Sequence, residues 1–216
     1  GLNLEDGYSG TLTLDLSLTV TGTLSQTAGM IQTGSHTLYV QGLLNATGGD
    51  FRGTMELSGA AFSAMVQHSA ITEQNGVLHQ LLLKQGGLEQ LSSAFADGFA
   101  GMELEVLTNA PMMPAEDSYL RIERTSDSLV NTYGLQDGFE IIAAYEPSKN
   151  RTLGSDIIPT KQTVTFVNPS DQEYSVGLTM KTMTGAQEVV WDGQTYAVTG
   201  EALTFAAYEK TASLAE

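Results

Sequence analysis

Three histidines, a pair of glutamates and one aromatic hairpin are the residues of this chain whose types and spacing could do chemistry. His68 and His79 flank Asn75-Gly76, and imidazole nitrogens bind transition metals when two or more converge on one ion. If Asn75-Gly76 is a two-residue hairpin turn, Thr72 opposes His79 and His68 opposes Leu83. The two rings then share a face but stand about 13 Å apart, at ~3.3 Å per residue, too far to hold one ion. No metal site is expected there, and His36 lies outside the hairpin.

Glu103 and Glu105 project from one face of MELEVL, and at about 7 Å they fall within the separation at which carboxylate pairs cleave glycosidic bonds. Met102, Leu104 and Val106 take the other face, so the glutamates are expected in water, where nothing desolvates either carboxyl. The stretch VVWDGQTYAV reads as a hairpin tipped by Asp192-Gly193, with Trp191 and Tyr196 diagonal neighbours on one face. Exposed, two such rings stack on a sugar; buried, they fill a core. Trp191, Tyr196 and Asp192 are the candidate ligand-binding residues.

Catalytic signatures are missing from the chain. It contains no G-x-S-x-G, no phosphate-cradling G-x-x-x-x-G-K, no G-x-G-x-x-G after a strand and no H-E-x-x-H. The absence of Cys removes disulfides, thiolate metal sites and cysteine nucleophiles. A non-enzymatic protein with no cofactor is the expectation. Asn45-Ala-Thr47 and Asn150-Arg-Thr152 fit the glycosylation acceptor pattern, which has meaning only in a secretory pathway.

Charge narrows the partners. Lys and Arg number 9 against 25 Asp and Glu, a net charge of −16, and no cation precedes Arg52. Nucleic-acid binding needs clustered cations to displace counterions from phosphate, and none cluster here. Anionic membrane surfaces are disfavoured for the same reason. No stretch approaches the roughly 20 apolar residues of a membrane-spanning helix. Only 16% of residues are charged, against about 25% in ordinary soluble domains. The start at Gly1 reads as a processed or trimmed form.

The elements that must position these residues are mostly strands. TLTLDLSLTVTGTL, residues 11–24, alternates at period two and predicts one long half-buried strand. LTVTGTLSQTAGMI (18–31) is echoed by LYVQGLLNATGGDF (38–51), with Leu18, Val20, Gly22, Leu24, Thr27 and Gly29 recurring twenty residues later. Met55, Leu57 and Gly59 give a weaker third echo. This L-x-V-x-G-x-L and T-x-G pattern resembles the coils of bacterial surface β-solenoids, a resemblance covering under a quarter of the chain. Two readings stand: antiparallel strands with Gly at bulges and turns, or stacked coils. The first is preferred, because about three coils are needed for stability and only two are clear.

Leu88, Leu91, Phe95 and Phe99 predict one amphipathic helix over about 87–99. MELEVL, YLRIER, FEIIAAY, TVTFV, the alternating run from Tyr174, the Trp191 hairpin and LTFAAYE predict further strands at sandwich spacing. The tail VVWDGQTYAVTGEALTFAAYE resembles β-sandwich ends of secreted glycoside hydrolases, too loosely for any residue role to be carried over.

The expected fold is mainly β: antiparallel sandwich or barrel-like sheets with one helix, or a short solenoid-like N-terminal part followed by a sandwich. The expected organisation is a β-rich part over 1–145, a loop or linker over 146–162, and sandwich strands over 163–216 that complete the first part or stand apart. The expected function is structural or assembly work at a cell surface, in a fibre or in a virus-like particle, through self-association or other structural subunits. Extracellular carbohydrate or protein binding, and carriage of an apolar ligand between sheet and helix, are the alternatives.

Overall fold

The computed structural model describes residues 1–74, 76–84, 103–145, 151–153, 156–158, 162–181, 187–191, 194–198, 202–204 and 208–210, some of them as backbone only. The helix expected over 87–99 lies outside the described residues, as does Asp192.

The predicted long first strand is not one strand. Residues 11–24 break into β2 (Thr11–Thr13), β3 (Leu18–Val20) and the start of β4 (Leu24–Gln26), preceded by β1 (Leu2–Leu4). Within the apolar parity of this stretch Leu14 and Val20 are buried, but Leu16, between β2 and β3, is 66% exposed, so the alternation does not mark one continuous half-buried strand. β5 (Met30–Val40), β6 (Leu44–Ala46) and β7 (Asp50–Ser58) follow.

The pairing among these strands is parallel, and it runs from coil to coil. Leu24 pairs with Leu44, Leu18 with Leu38, Val20 with Val40 and Ile31 with Phe51, each twenty residues on. The preference for antiparallel strands is thereby overturned, and the stacked-coil alternative is the observed arrangement. The third echo is real as well: Leu38 pairs with Met55 and Val40 with Leu57, the spacing shortened by an irregularity in β5 between Gln32 and Thr37. β1, β4 and β6 form a three-stranded parallel sheet, while β2, β3, β5 and β7 begin a much larger one. Leu24, Leu38, Val40, Leu57, Ile31 and Phe51 fill the interior in matched columns.

Glycine is required at two coil corners by close approach. A Cβ on Gly42 would stand 2.0 Å from the Gly22 carbonyl oxygen, and one on Gly48 2.2 Å from the Thr27 carbonyl oxygen. Both neighbours are backbone atoms of the previous coil and cannot swing aside. The Gly22/Gly42 echo in the sequence therefore records coil stacking.

α1 (Gly59–Met65) follows β7 and buries Ala61, Phe62 and Met65. At seven residues it is too short to show a helical period in the sequence. It leads into β8 (Val66–Glu73) and β9 (Gly76–Lys84), which with β10 (Glu103–Thr108) run antiparallel. β11 (Tyr119–Arg124), β12 (Leu129–Gly134) and β13 (Glu140–Tyr145) form a meander whose first strand pairs antiparallel with β7. β14 (Arg151–Leu153) and β15 (Asp156–Ile158) are a small hairpin, so residues 146–162 hold more than loop. β16 (Gln162–Val167) extends the meander from β13, and β17 (Tyr174–Lys181) pairs with β10. β18 (Gln187–Trp191) and β19 (Gln194–Val198) continue the large sheet, while β20 (Ala202–Thr204) and β21 (Tyr208–Lys210) both pair with β17.

The result is a ten-stranded and a six-stranded sheet that share one apolar core, mainly β and not a closed barrel. Leu81, Leu83, Leu104, Val106 and Val176 meet Leu120, Ile122, Ile141, Val164 and Phe166 in one core that is continuous with the coil interior. Phe139 packs near-parallel to Phe166 and edge-on to Tyr174, tying the two sheets.

Substitution at Gly42 and Gly34 separates the causes of glycine use. Gly34 has φ +60 with open space around it, so Gly34→Ala meets only backbone strain, about 1–2 kcal/mol. Gly42→Ala forces two coils apart and is expected to cost about 3 kcal/mol or more. Equilibrium denaturation of the two variants checks the order; equal losses would refute close stacking at Gly42.

Candidate functional site

The hairpin of β8 and β9 brings together two histidines on one face and a row of polar side chains on the other. Its turn sits one residue earlier than the Asn75-Gly76 signal suggested, because Glu73 pairs with Gly76 and the ladder continues Thr72 to Val77, Ala70 to His79 and His68 to Leu81. Gly76 has φ +136, a conformation reserved for glycine, which holds it at the strand start. Moving the turn by one residue shifts each cross-strand partner by two, so faces are kept but neighbours change.

His68 and His79 thereby become diagonal neighbours. Nε2 of His68 lies 3.2 Å from Nδ1 of His79, with ring centroids 5.4 Å apart and planes tilted by 31°. The expected separation of about 13 Å is corrected by this register. The His68 ring is exposed and that of His79 half-buried, on the same sheet face as the buried Leu81 and Leu83 but nearer the hairpin end. Partial burial, and then the neighbouring His79, hold the His68 imidazole below its ordinary pKa.

The other face of the hairpin carries a polar row. Ser69 Oγ donates to Gln80 Oε1 at 3.0 Å, and the Gln80 amide donates in turn to the Glu105 carboxylate. Gln67, Ser69, Gln80, Leu82 and Glu105, with His68 at the rim, line a groove of about 470 Å³. Leu104 and Val106 are buried, as their parity predicts, and Glu105 lies on the opposite, half-exposed face. The Glu105 carboxylate is engaged by the neutral Gln80 amide. The backbone register sets Glu103 between Lys84 and Lys181.

The other sequence-predicted residues lie elsewhere. The β18–β19 register pairs Trp191 with Gln194 and Val189 with Tyr196, which places Trp191 and Tyr196 at diagonal positions, as read from the sequence. Asn45 is exposed on β6. His36 is half-buried in the irregular part of β5, in the other sheet from His68 and His79.

A polar cluster on the large sheet was not singled out from the sequence. Arg121 makes a 2.9 Å ion pair with Glu56 and lies 5.1 Å from the centroid of the Tyr119 ring, whose hydroxyl donates to Glu140 at 3.0 Å. Burial first, and then the Glu140 bond, raise the Tyr119 pKa. The ring covers Gly134 directly opposite, where a Cβ would meet it at 2.3 Å. These contacts form a cross-strand brace over β7, β11, β12 and β13. The signal for it was the period-two placement of Tyr119, Arg121 and Glu123 in YLRIER, which needed the strand order to acquire partners.

Because the folded His68 ring resists protonation, the unfolded chain takes up more protons as pH falls through the ordinary value of 6.5. Stability is therefore retained above that pH and lost below it. His68→Gln should lose less melting temperature than the parent between pH 7.5 and pH 5 (about one to two units either side of an unperturbed imidazole). Equal losses would dissociate His68 from the acid sensitivity. Comparison with protein-family models, curated proteins and solved structures returns no match, so the functional reading rests on geometry and chemistry alone.

Proposed function

We propose that this protein is a non-catalytic structural module of a cell surface, fibre or particle, which joins a second copy of itself by β-edge pairing at its first coil. The observation that carries this reading is the one-sided pairing of β1, β2 and β3: among the described residues β1 pairs with β4 alone, and β2 and β3 pair with β5 alone. The Leu14 N–H donates to Gln32 and the Met30 N–H to Gly10, so the even-numbered residues of β2 turn their backbone groups toward β5. Backbone groups alternate along a strand, which directs those of Thr11 and Thr13 outward, where no other described strand pairs with them and a further strand can be templated.

Stacked coils with a regular interior extend by repetition, and a further coil would bury the half-exposed Leu12 and Leu18 as the inner coils bury Leu38 and Val40. The sparse charge and absent cysteine fit a surface or particle setting. Glu5, Asp6 and Asp15 are exposed around this end, and no Lys or Arg precedes Arg52. Like charges would oppose joining at low salt, and screening would relieve them.

Light scattering after size exclusion, over a wide range of protein and salt concentrations, tests the reading. Mass should grow with protein concentration and more steeply at high salt. Thr13→Pro removes an outward N–H without touching the β2–β5 ladder, and should stay monomeric with an unchanged circular dichroism spectrum. A parent chain that remains monomeric under every condition would sink the proposal.

A further inference from the structure

The histidine pair stands apart from the coil edge and supports an inference of its own. We propose that His68 and His79 form a two-imidazole site for a divalent transition-metal ion, clamped across the β8–β9 hairpin. Zinc–nitrogen bonds of about 2.0–2.1 Å at a tetrahedral angle place two ligand nitrogens roughly 3.3 Å apart. The observed separation of His68 Nε2 and His79 Nδ1 is 3.2 Å. The two nitrogens that face each other already stand at a chelating distance, and the antiparallel ladder holds the two backbones at the diagonal register that allows it.

The proton bookkeeping is simple. In the metal-free pair one ring donates its N–H to the other, so one facing nitrogen carries a hydrogen and the other a lone pair. Loading requires the donor ring to shift that hydrogen to its outer nitrogen, after which both facing lone pairs bind the ion. No proton is released when both rings start neutral. The hairpin strand β8 is the last strand of its sheet in the described order, and the His68 ring is exposed, which leaves the ion's remaining positions to water. Two nitrogen donors select Zn²⁺, Ni²⁺ or Cu²⁺ over Mg²⁺ and Ca²⁺, which require oxygen. A net charge of −16 raises the local concentration of any cation near the surface.

Titration calorimetry with ZnCl₂, in buffer containing excess MgCl₂ to occupy surface carboxylates, is the direct test. One ion per chain should bind with micromolar affinity and raise the melting temperature of the parent protein. His68→Gln and His79→Gln should each lose this binding at least tenfold, while His36→Gln keeps it. Nitrogen-15 spectra of the unsubstituted protein should show the ring resonances of two histidines moving together on zinc addition, a readout that does not depend on any variant folding. Zinc uptake unchanged by either hairpin substitution, reduced equally by His36→Gln, or unaccompanied by histidine shifts would overturn the site.

Discussion

The backbone ladder that joins one coil to the next is the constraint on which the rest of the molecule is built. Parallel strands in successive coils hydrogen-bond only if each coil returns to the same place, and the pairs Leu18–Leu38 and Leu24–Leu44 show that twenty residues achieve this. The corners then lie so close that Gly42 and Gly48 have no space for a Cβ. β7 ends the coil series and offers its other edge to β11, so the antiparallel meander inherits the position and tilt of the last coil. Both large sheets close over one apolar core from that strand onward.

Polar groups inside this core are placed at the irregularities of the ladder. Gln26 is buried in the column between Leu4 and Ala46, and its amide donates to the Asp50 carbonyl at 2.8 Å and the Gly29 carbonyl at 3.3 Å, reinforcing a corner where the Asp50 N–H also donates to Gly29. Thr33, fully buried where β5 loses register with β7, accepts the Thr54 N–H through Oγ1 at 2.9 Å. Its hydroxyl occupies the position a Cβ on Gly53 would need, which accounts for Gly53 and its φ of +109. Arg124 reaches from the first meander strand to Asp50 at 2.7 Å, a charge pair whose strength depends on its shelter from water. Burial lowers the Arg124 pKa and the Asp50 charge opposes that shift, so the carboxylate gives the sheltered guanidinium a partner inside the fold.

The β8–β9 hairpin shows how much chemistry depends on one residue of turn position. Asn75-Gly76 is a strong local turn signal, yet the pairing closes Glu73 against Gly76. Leu81 and Leu83 must face the core beside Leu104 and Val106, and either turn position satisfies that requirement because both preserve parity. Local sequence therefore left the choice open between a remote and an adjacent pair of histidines. The ladder shared with β10 and the glycine-only conformation at Gly76 accompany the second.

The sequence by itself determined that the chain is mainly β, which parities are buried, and that the segments around Leu18, Leu38 and Met55 are equivalent. These follow from side-chain alternation and glycine spacing, which are local properties. Only the tertiary structure decided that the equivalent segments stack in parallel, since a strand's periodicity is the same whichever partner it takes. It also divided residues 11–24 into separate strands, because coil corners come from backbone closure and leave no break in alternation at period two. Partnership of Arg121 with Glu56 and of His68 with His79 joins residues from different strands at one register, and register is a long-range quantity. Composition and alternation could place those side chains on faces; only the closed ladders could place them beside each other.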